Sequence, residues 1–253
     1  MKRPNKTHKY SRKDIQDELE QYYLSNEGNL SEFYRDCHYR SSTLHDSDMT
    51  AIEVIAEYVM NNWVDSVGGK PILRGVSGDD RPEYCDSPRD EKPKRRKEEV
   101  FQRGLYFGRI KMPNELETML KGEEFIWFEL SPDQRIKGGI DLISFNQALN
   151  RLSIYELKYG FANEHILKAI LEIQTYFQRT RFDKFKTHWN QNKQNCSKPI
   201  KTFKVLDFDE NNVRKVILID KRIRNFAESE YKSIKFMIEK FNIVTMYFDG
   251  GSL

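Results

Sequence analysis

No stretch of this 253-residue chain reaches the roughly 18–20 consecutive apolar residues of a membrane-spanning helix, so no helix is expected to cross a bilayer. Cysteine is scarce: Cys37, Cys85 and Cys196 are far apart and odd in number. That argues against a disulfide framework or a zinc knuckle and fits a reducing, cytoplasmic setting. Cys37-His38 with His45 lacks regular ligand spacing and reads as an ordinary surface cluster. A glycine-rich phosphate loop of the Walker type is missing, which removes ATP-driven chemistry from consideration. Residues Met1 to Lys6 are basic but no apolar core follows them, unlike a secretory signal. No internal repeat is visible. What remains, with 32% charged and 38% hydrophobic residues, is a somewhat polar globular chain, long enough for one large domain or a domain with a helical extension.

The most informative stretch is 138–158. Gly139-Ile140-Asp141-Leu142-Ile143-Ser144-Phe145 and Arg151-Leu152-Ser153-Ile154-Tyr155-Glu156-Leu157-Lys158 are apolar and β-branched runs flanking a polar loop, the pattern of a β-hairpin. A four-residue loop, Gln147 to Asn150, places Phe145 opposite Leu152, Ile143 opposite Ile154, Asp141 opposite Glu156 and Gly139 opposite Lys158. Strand side chains alternate, so these share one face, while Ile140, Leu142, Ser144, Ser153, Tyr155 and Leu157 share the other. Both faces are largely apolar, as a buried central hairpin requires. Opposed carboxylates repel, by a few tenths to about 1 kcal/mol when exposed and more when buried. A divalent cation such as Mg²⁺, which favours one or two carboxylates plus waters and phosphate oxygens, resolves that conflict. The plainer alternative is an ion pair between Glu156 and Lys158, with Asp141 at a solvated strand end.

Gly139-Ile140-Asp141 followed by Tyr155-Glu156-Leu157-Lys158 resembles the signature of the PD-(D/E)XK nucleases, the restriction-endonuclease-like superfamily. Ile140 stands where the signature has proline. The resemblance covers roughly 115–250 by element order. It implies an α/β fold with a restriction-endonuclease-like mixed sheet flanked by helices. It also implies a hydrolase: a nuclease, with endonuclease and exonuclease action both open, acting on DNA with Mg²⁺ or Mn²⁺ as cofactor. Asp141 and Glu156 would bind metal with the Leu157 carbonyl as a further ligand, and Asp141, Glu156 and Lys158 would be catalytic. A helix before the first strand often adds another acid in this family; Glu99, Glu115, Glu117 and Glu129 are candidates. Glu129 is favoured because a register pairing it with Asp141 puts both on one face.

Around the hairpin the chain divides into a helical N-terminal region with linker, 1–93, and a nuclease-like core, 94–253. Helices are expected over 11–25, with Ser11 as N-cap, and over about 47–67, with Glu53 and Glu57 on the polar face. Residues 68–97 read as a linker ending in the basic run Lys92 to Lys97. A helix over 98–109, a short helix capped by Asn114, a strand over 125–130 and a turn at 131–137 lead to the hairpin. Beyond it come a helix over 163–180, a strand over 213–220, a helix over 225–241 and a strand over 243–248. On the 163–180 helix Gln174 is the polar member of a wide apolar face and a further candidate, since some branches of the family carry a Gln there. Four residues on, where those branches have Tyr, this chain has Gln178.

Residues 158–225 hold 15 Lys or Arg against 7 Asp or Glu. A local basic excess beside the hairpin favours a nucleic-acid partner. Arg179, Arg181, Lys184 and Lys186, interleaved with Phe182, Phe185, His188 and Trp189, are the candidate nucleic-acid contacts: cations for phosphates, rings for bases. The rings could equally anchor this segment to the core. A non-catalytic nucleic-acid- or partner-binding protein of the same fold is the competing reading, and a homodimer or a partner protein is compatible with either.

Overall fold

A computed structural model describes residues 10–25, 50–62, 97–130, 139–160, 166–192, 200, 202–223 and 232–250. The three cysteines, His38, His45, the linker with its basic run up to Arg96, the turn at 131–137 and the first residues of the helices expected from 163 and 225 lie outside these.

The described elements are helices α1 (Arg12–Ser25), α2 (Ala51–Asn62), α3 (Lys97–Phe107) and α4 (Asn114–Met119), strands β1 (Glu124–Leu130), β2 (Ile140–Asn146) and β3 (Arg151–Lys158), helices α5 (Ile166–Arg179) and α6 (Phe182–Asn192), strand β4 (Arg214–Asp220), helix α7 (Lys232–Lys240) and strand β5 (Ile243–Phe248). They build an α/β fold on one five-stranded mixed sheet in the order β1-β2-β3-β4-β5. The first two pairings are antiparallel, and β3-β4 and β4-β5 are parallel. Parallel neighbours need crossovers, which are right-handed almost without exception. Both crossovers advance in the same direction, so α5, α6 and α7 lie on one face. There α1 and α2 join them in a single apolar cluster with Ile143, Ile154 and Ile217. Helices α3 and α4 cover the other face, against Leu142, Tyr155, Leu157 and Leu218. The expected helix, three strands, helix, strand, helix, strand order holds, with one addition: the basic stretch after α5 is itself a helix, α6.

Helix starts follow the chemistry of the flanking side chains. Ser11 Oγ accepts the Asp14 amide at 3.0 Å while Asp14 accepts the Ser11 amide at 2.9 Å, a reciprocal cap. Thr50 and Glu53 repeat the arrangement ahead of α2, so Glu53 is a capping residue rather than only a member of the polar face. Asn114 is not a cap. Pro113 occupies that position with extended backbone and Asn114 is already helical.

The hairpin register is the expected one from Asn146–Arg151 to Leu142–Tyr155. Asn150 closes the loop in left-handed backbone (φ 47) and its amide bonds to the Gln147 carbonyl. β1 carries a bulge between Phe125 and Trp127. The extra residue, Ile126, therefore sinks into the same apolar cluster as Trp127 instead of alternating with it.

Candidate metal centre at the parted end of the hairpin

Parallel β3 and β4 and the antiparallel start of β2 bring Lys158, Asp220 and Asp141 to one end of the sheet. It is the carboxyl end of the parallel strands, where open α/β sheets place ligands. There the hairpin parts. Its last pair is Leu142–Tyr155, so Asp141 and Glu156 are not ladder partners. Instead the Asp141 carboxylate accepts the Leu157 amide at 2.6 Å, taking the place of a strand hydrogen bond. A residue in a hydrogen-bonded pair turns N–H and C=O to the same neighbour, so the Leu157 carbonyl faces the same gap. Gln102 of α3, itself buried, donates its side-chain amide to the Asp141 carbonyl and holds the parted strand.

Lys158 is the hub. Its Nζ donates to Glu156 Oε1 at 2.7 Å and to Glu172 Oε2 at 3.1 Å, with both Lys158 and Glu156 only 4% exposed. The plain alternative raised by the sequence, an ion pair between Glu156 and Lys158, is therefore present. The acids outnumber it. Glu156 and Glu172 contact one ammonium, and Asp141 acts on it through its charge. Glu98 adds its charge to both Asp141 and Lys158, while Lys168 meets Glu172 only at 3.9 Å. Among the described residues, four acids against two ammonium groups cannot all be ionised in a largely buried place without a further cation, and the excess is carried as protons. Burial pushes the Asp141 carboxyl up to about 8 against the pull of Lys158. Burial raises Glu156 as well, again against Lys158, with Asp141 and Glu172 adding to the rise. Burial alone would lower Lys158, but Glu156 and Glu172 outweigh it and hold its ammonium charged well above the ordinary range.

Glu156 Oε2 is buried and has no hydrogen-bond partner among the described residues. An orphaned acceptor of this kind costs about 1–3 kcal/mol, and more when charged. Among the described residues no three His, Cys, Asp or Glu side chains are grouped as a ligand set. A hard divalent ion asks for less: one or two carboxylates, with waters and substrate oxygens completing the shell. The Asp141 oxygen not bonded to Leu157, the orphaned Glu156 Oε2 and the Leu157 carbonyl fit that requirement.

The sequence indicated Asp141, Glu156, Leu157 and Lys158, and these come together. Glu129 does not join them. It stands opposite Asp141 by register, as anticipated, but its backbone is left-handed (φ 53) and its carboxylate pairs with Arg103 of α3 at 3.5 Å. Gln174 is also elsewhere: its Oε1 accepts from buried Lys215 of β4 at 2.8 Å, a partner neither α5 nor its spacing could reveal. Glu115, another upstream candidate, pairs with Lys221 at 2.6 Å. The acids that do surround the site, Glu98 and Glu172, were missed. Glu98 sits one residue from the named candidate Glu99, on the face of α3 fixed by Phe101, whose ring stacks on Tyr159 at 4.2 Å. That face also carries Gln102, one turn on. Glu172 has no sequence mark beyond the i,i+4 spacing from Lys168.

The candidate nucleic-acid contacts are mostly committed within the protein. Arg179 is buried, and Arg181 forks onto Asp183 at 2.9 and 2.6 Å. Lys186 donates to the Phe208 carbonyl at 3.3 Å and lies over the Phe208 ring, and Lys184 is exposed. Phe182, Phe185 and Trp189 are core residues; Phe185 packs on Trp127 and Trp189 on Phe203. Anchoring is thus the role their packing serves, and stacking on bases is not open to them. No helix among the described residues is long and apolar enough to cross a membrane. Comparison with protein families, curated proteins and solved structures finds no match for this chain.

Proposed function

We propose that this chain is a metal-dependent nuclease that hydrolyses phosphodiester bonds in DNA, built on a restriction-endonuclease-like sheet. The observation that carries the reading is the excess of buried acids over ammonium groups around Lys158, with Glu156 Oε2 unpartnered among the described residues. Asp141, Glu156 and the Leu157 carbonyl would hold Mg²⁺ or Mn²⁺. Such an ion, when bound, polarises a phosphoryl oxygen and lowers the pKa of its water. The protein supplies the rest. The Leu157 amide and Gln102 fix Asp141 from both sides. Glu172 shares Lys158 with Glu156 and keeps the ammonium charged in a low-dielectric place, where it can steady charge developing on phosphate oxygens.

The test is cleavage of plasmid and linear DNA by the purified chain with Mg²⁺ or Mn²⁺, beside Asp141→Asn and Lys158→Ala variants checked for folding. Cleavage by the wild type and a loss of at least about a hundredfold in both variants is expected. Equal cleavage by the variants, or none with either metal, overturns the proposal. One observation favours a second reading, a DNA- or partner-binding protein without catalysis: Lys158 is held by hydrogen bonds to two carboxylates, as a purely structural lysine would be. Calorimetric titration with Mg²⁺ and Mn²⁺ separates the two, because only the nuclease needs the ion.

A further inference from the structure

A second charged cluster lies at the other end of the same strands, on the face covered by α3 and α4. Arg151 opens β3 and Arg214 opens β4; in the parallel register Arg214 faces Ser153, two residues from Arg151. Both guanidinium groups approach one oxygen of Glu123, just ahead of β1: Arg151 Nη2 at 3.2 Å and Arg214 Nη1 at 3.9 Å. Glu123 is almost completely buried and also accepts from the Ser144 hydroxyl, which in turn meets the Tyr155 hydroxyl at 2.7 Å. Among the described residues one carboxylate thus faces two guanidinium ions, leaving one positive charge over.

Hydrogen bonding is in deficit too. Two guanidinium groups carry roughly ten N–H donors in fixed forks. Among the described residues Arg151 donates one hydrogen bond, to Glu123, and Arg214 donates none from its side chain. Arg151 Nε is buried without a partner among the described residues. The side chains of Arg151 and Arg214 are 26% and 20% exposed, so the pair is walled by protein yet open on one side. Burial and the like charge of Arg151 lower the Arg214 pKa, as expected of two cations held together with too little anion.

We propose that Arg151 and Arg214 form a binding site for a phosphate group. The residual single positive charge matches a phosphodiester or a singly charged phosphate, and paired planar forks offer the parallel donors that phosphate oxygens take bidentately. The site is distinct from the carboxylate cluster. Arg151 and Lys158 stand seven residues apart on β3, roughly 23 Å at about 3.3 Å per residue, and their clusters are on opposite faces of the sheet. The inference does not rest on the nuclease reading.

The full chain is titrated calorimetrically at neutral pH, low salt and excess chelator, so that no divalent ion takes part. One arm uses inorganic phosphate; the other uses a thymidine oligonucleotide with phosphodiesters but no terminal phosphate. Saturable one-to-one binding of either probe is expected, weakened at least about tenfold by Arg214→Gln, with Arg214→Lys in between because it restores charge but not the fork. Binding of inorganic phosphate identifies a free phosphate or phosphomonoester as the ligand; binding of the oligonucleotide alone identifies a strand backbone. Circular dichroism reports whether each variant folds, and if Arg214→Gln does not, the Arg214→Lys and Arg151→Lys titrations decide. No saturable binding of either probe by the wild type, or equal affinity in the variants, overturns the proposal.

Discussion

Removing the negative charge of Asp141 without changing its shape should reshape the pH dependence of stability. An asparagine can still accept the Leu157 amide hydrogen bond that Asp141 Oδ2 accepts at 2.6 Å, so the parted hairpin is kept. In the native wild type burial holds the Asp141 proton up to about 8, whereas in the unfolded chain it leaves in the ordinary carboxylate range, near 4. The native state therefore binds more protons than the unfolded state between those values. Its advantage is full below pH about 4 and is lost as pH rises through about 8. The slope is about 1.4 kcal/mol per pH unit, so between pH 4 and pH 7 the wild type should lose on the order of 4 kcal/mol relative to Asp141→Asn. Glu156 and Glu172 share the same ammonium and make this an upper bound, because protons can redistribute among the three acids. The assay is urea unfolding of both proteins in chelator across pH 4 to 9. Saturating Mg²⁺ should restore the wild type above pH 7 and release protons measurable in weakly buffered solution, since the ion replaces the proton as counter-charge. Parallel stability curves for the two proteins, or a gap that Mg²⁺ leaves untouched, would refute the argument.

Other consequences are equally concrete. Lys158→Ala takes from Glu156 and Glu172 the ammonium they share and should lower stability in chelator by about 3–5 kcal/mol at neutral pH, read from the same urea transitions; a change below about 1 kcal/mol would mean the cluster is solvated. Glu129→Gln should leave metal-dependent cleavage intact, because Glu129 is paired with Arg103 and stands outside the carboxylate cluster. A Cβ at Gly250 would sit 2.5 Å from Asp220 Oδ2 and 2.7 Å from the Tyr159 ring. Gly250→Ala should therefore lower the thermal midpoint, at about 1–3 kcal/mol of overpacking, with an unchanged midpoint as the contrary result. Glu172→Gln should raise the metal concentration needed for half-maximal cleavage by weakening the negative field around Asp141 and Glu156; metal titrations of initial rate read it directly.

Much of this fold was legible because its signals are local. Alternation over 140–158 sets the hairpin, and the loop length sets its register down to Leu142–Tyr155. Three-to-four spacing of apolar residues marks α1, α2 and α5, and Ser11 announces the start of its helix. The run Ile243–Phe248 is a strand with the limits its β-branched and aromatic composition suggests. Where a tertiary contact competes with a local preference, the reading failed. Asn114 looks like a cap, yet Pro113 fixes the turn ahead of it. The aromatic residues of α6 look like a stacking platform until β1 and the segment near Phe203 bury them.

The candidate site divides along the same line. Asp141, Glu156 and Lys158 could be placed together from the sequence alone, because two strands joined by a short loop have only one sensible pairing. Their surroundings could not. Whether the ladder continues past Leu142, whether Glu129 or Glu172 faces Lys158, and how many charges balance at the hub depend on α3 and α5. Those helices reach the site from 43 residues before and 14 residues after the charges they complete, as Glu98 to Asp141 and Lys158 to Glu172 show. Spacing along one strand pair carries no information about which helix packs over it; that is decided by which apolar faces fill the two sides of the sheet. The chain alone determined that Asp141, Glu156 and Lys158 lie close together on the hairpin. The packing of α3 and α5 decided which further acids surround Lys158, and so how its charge is balanced.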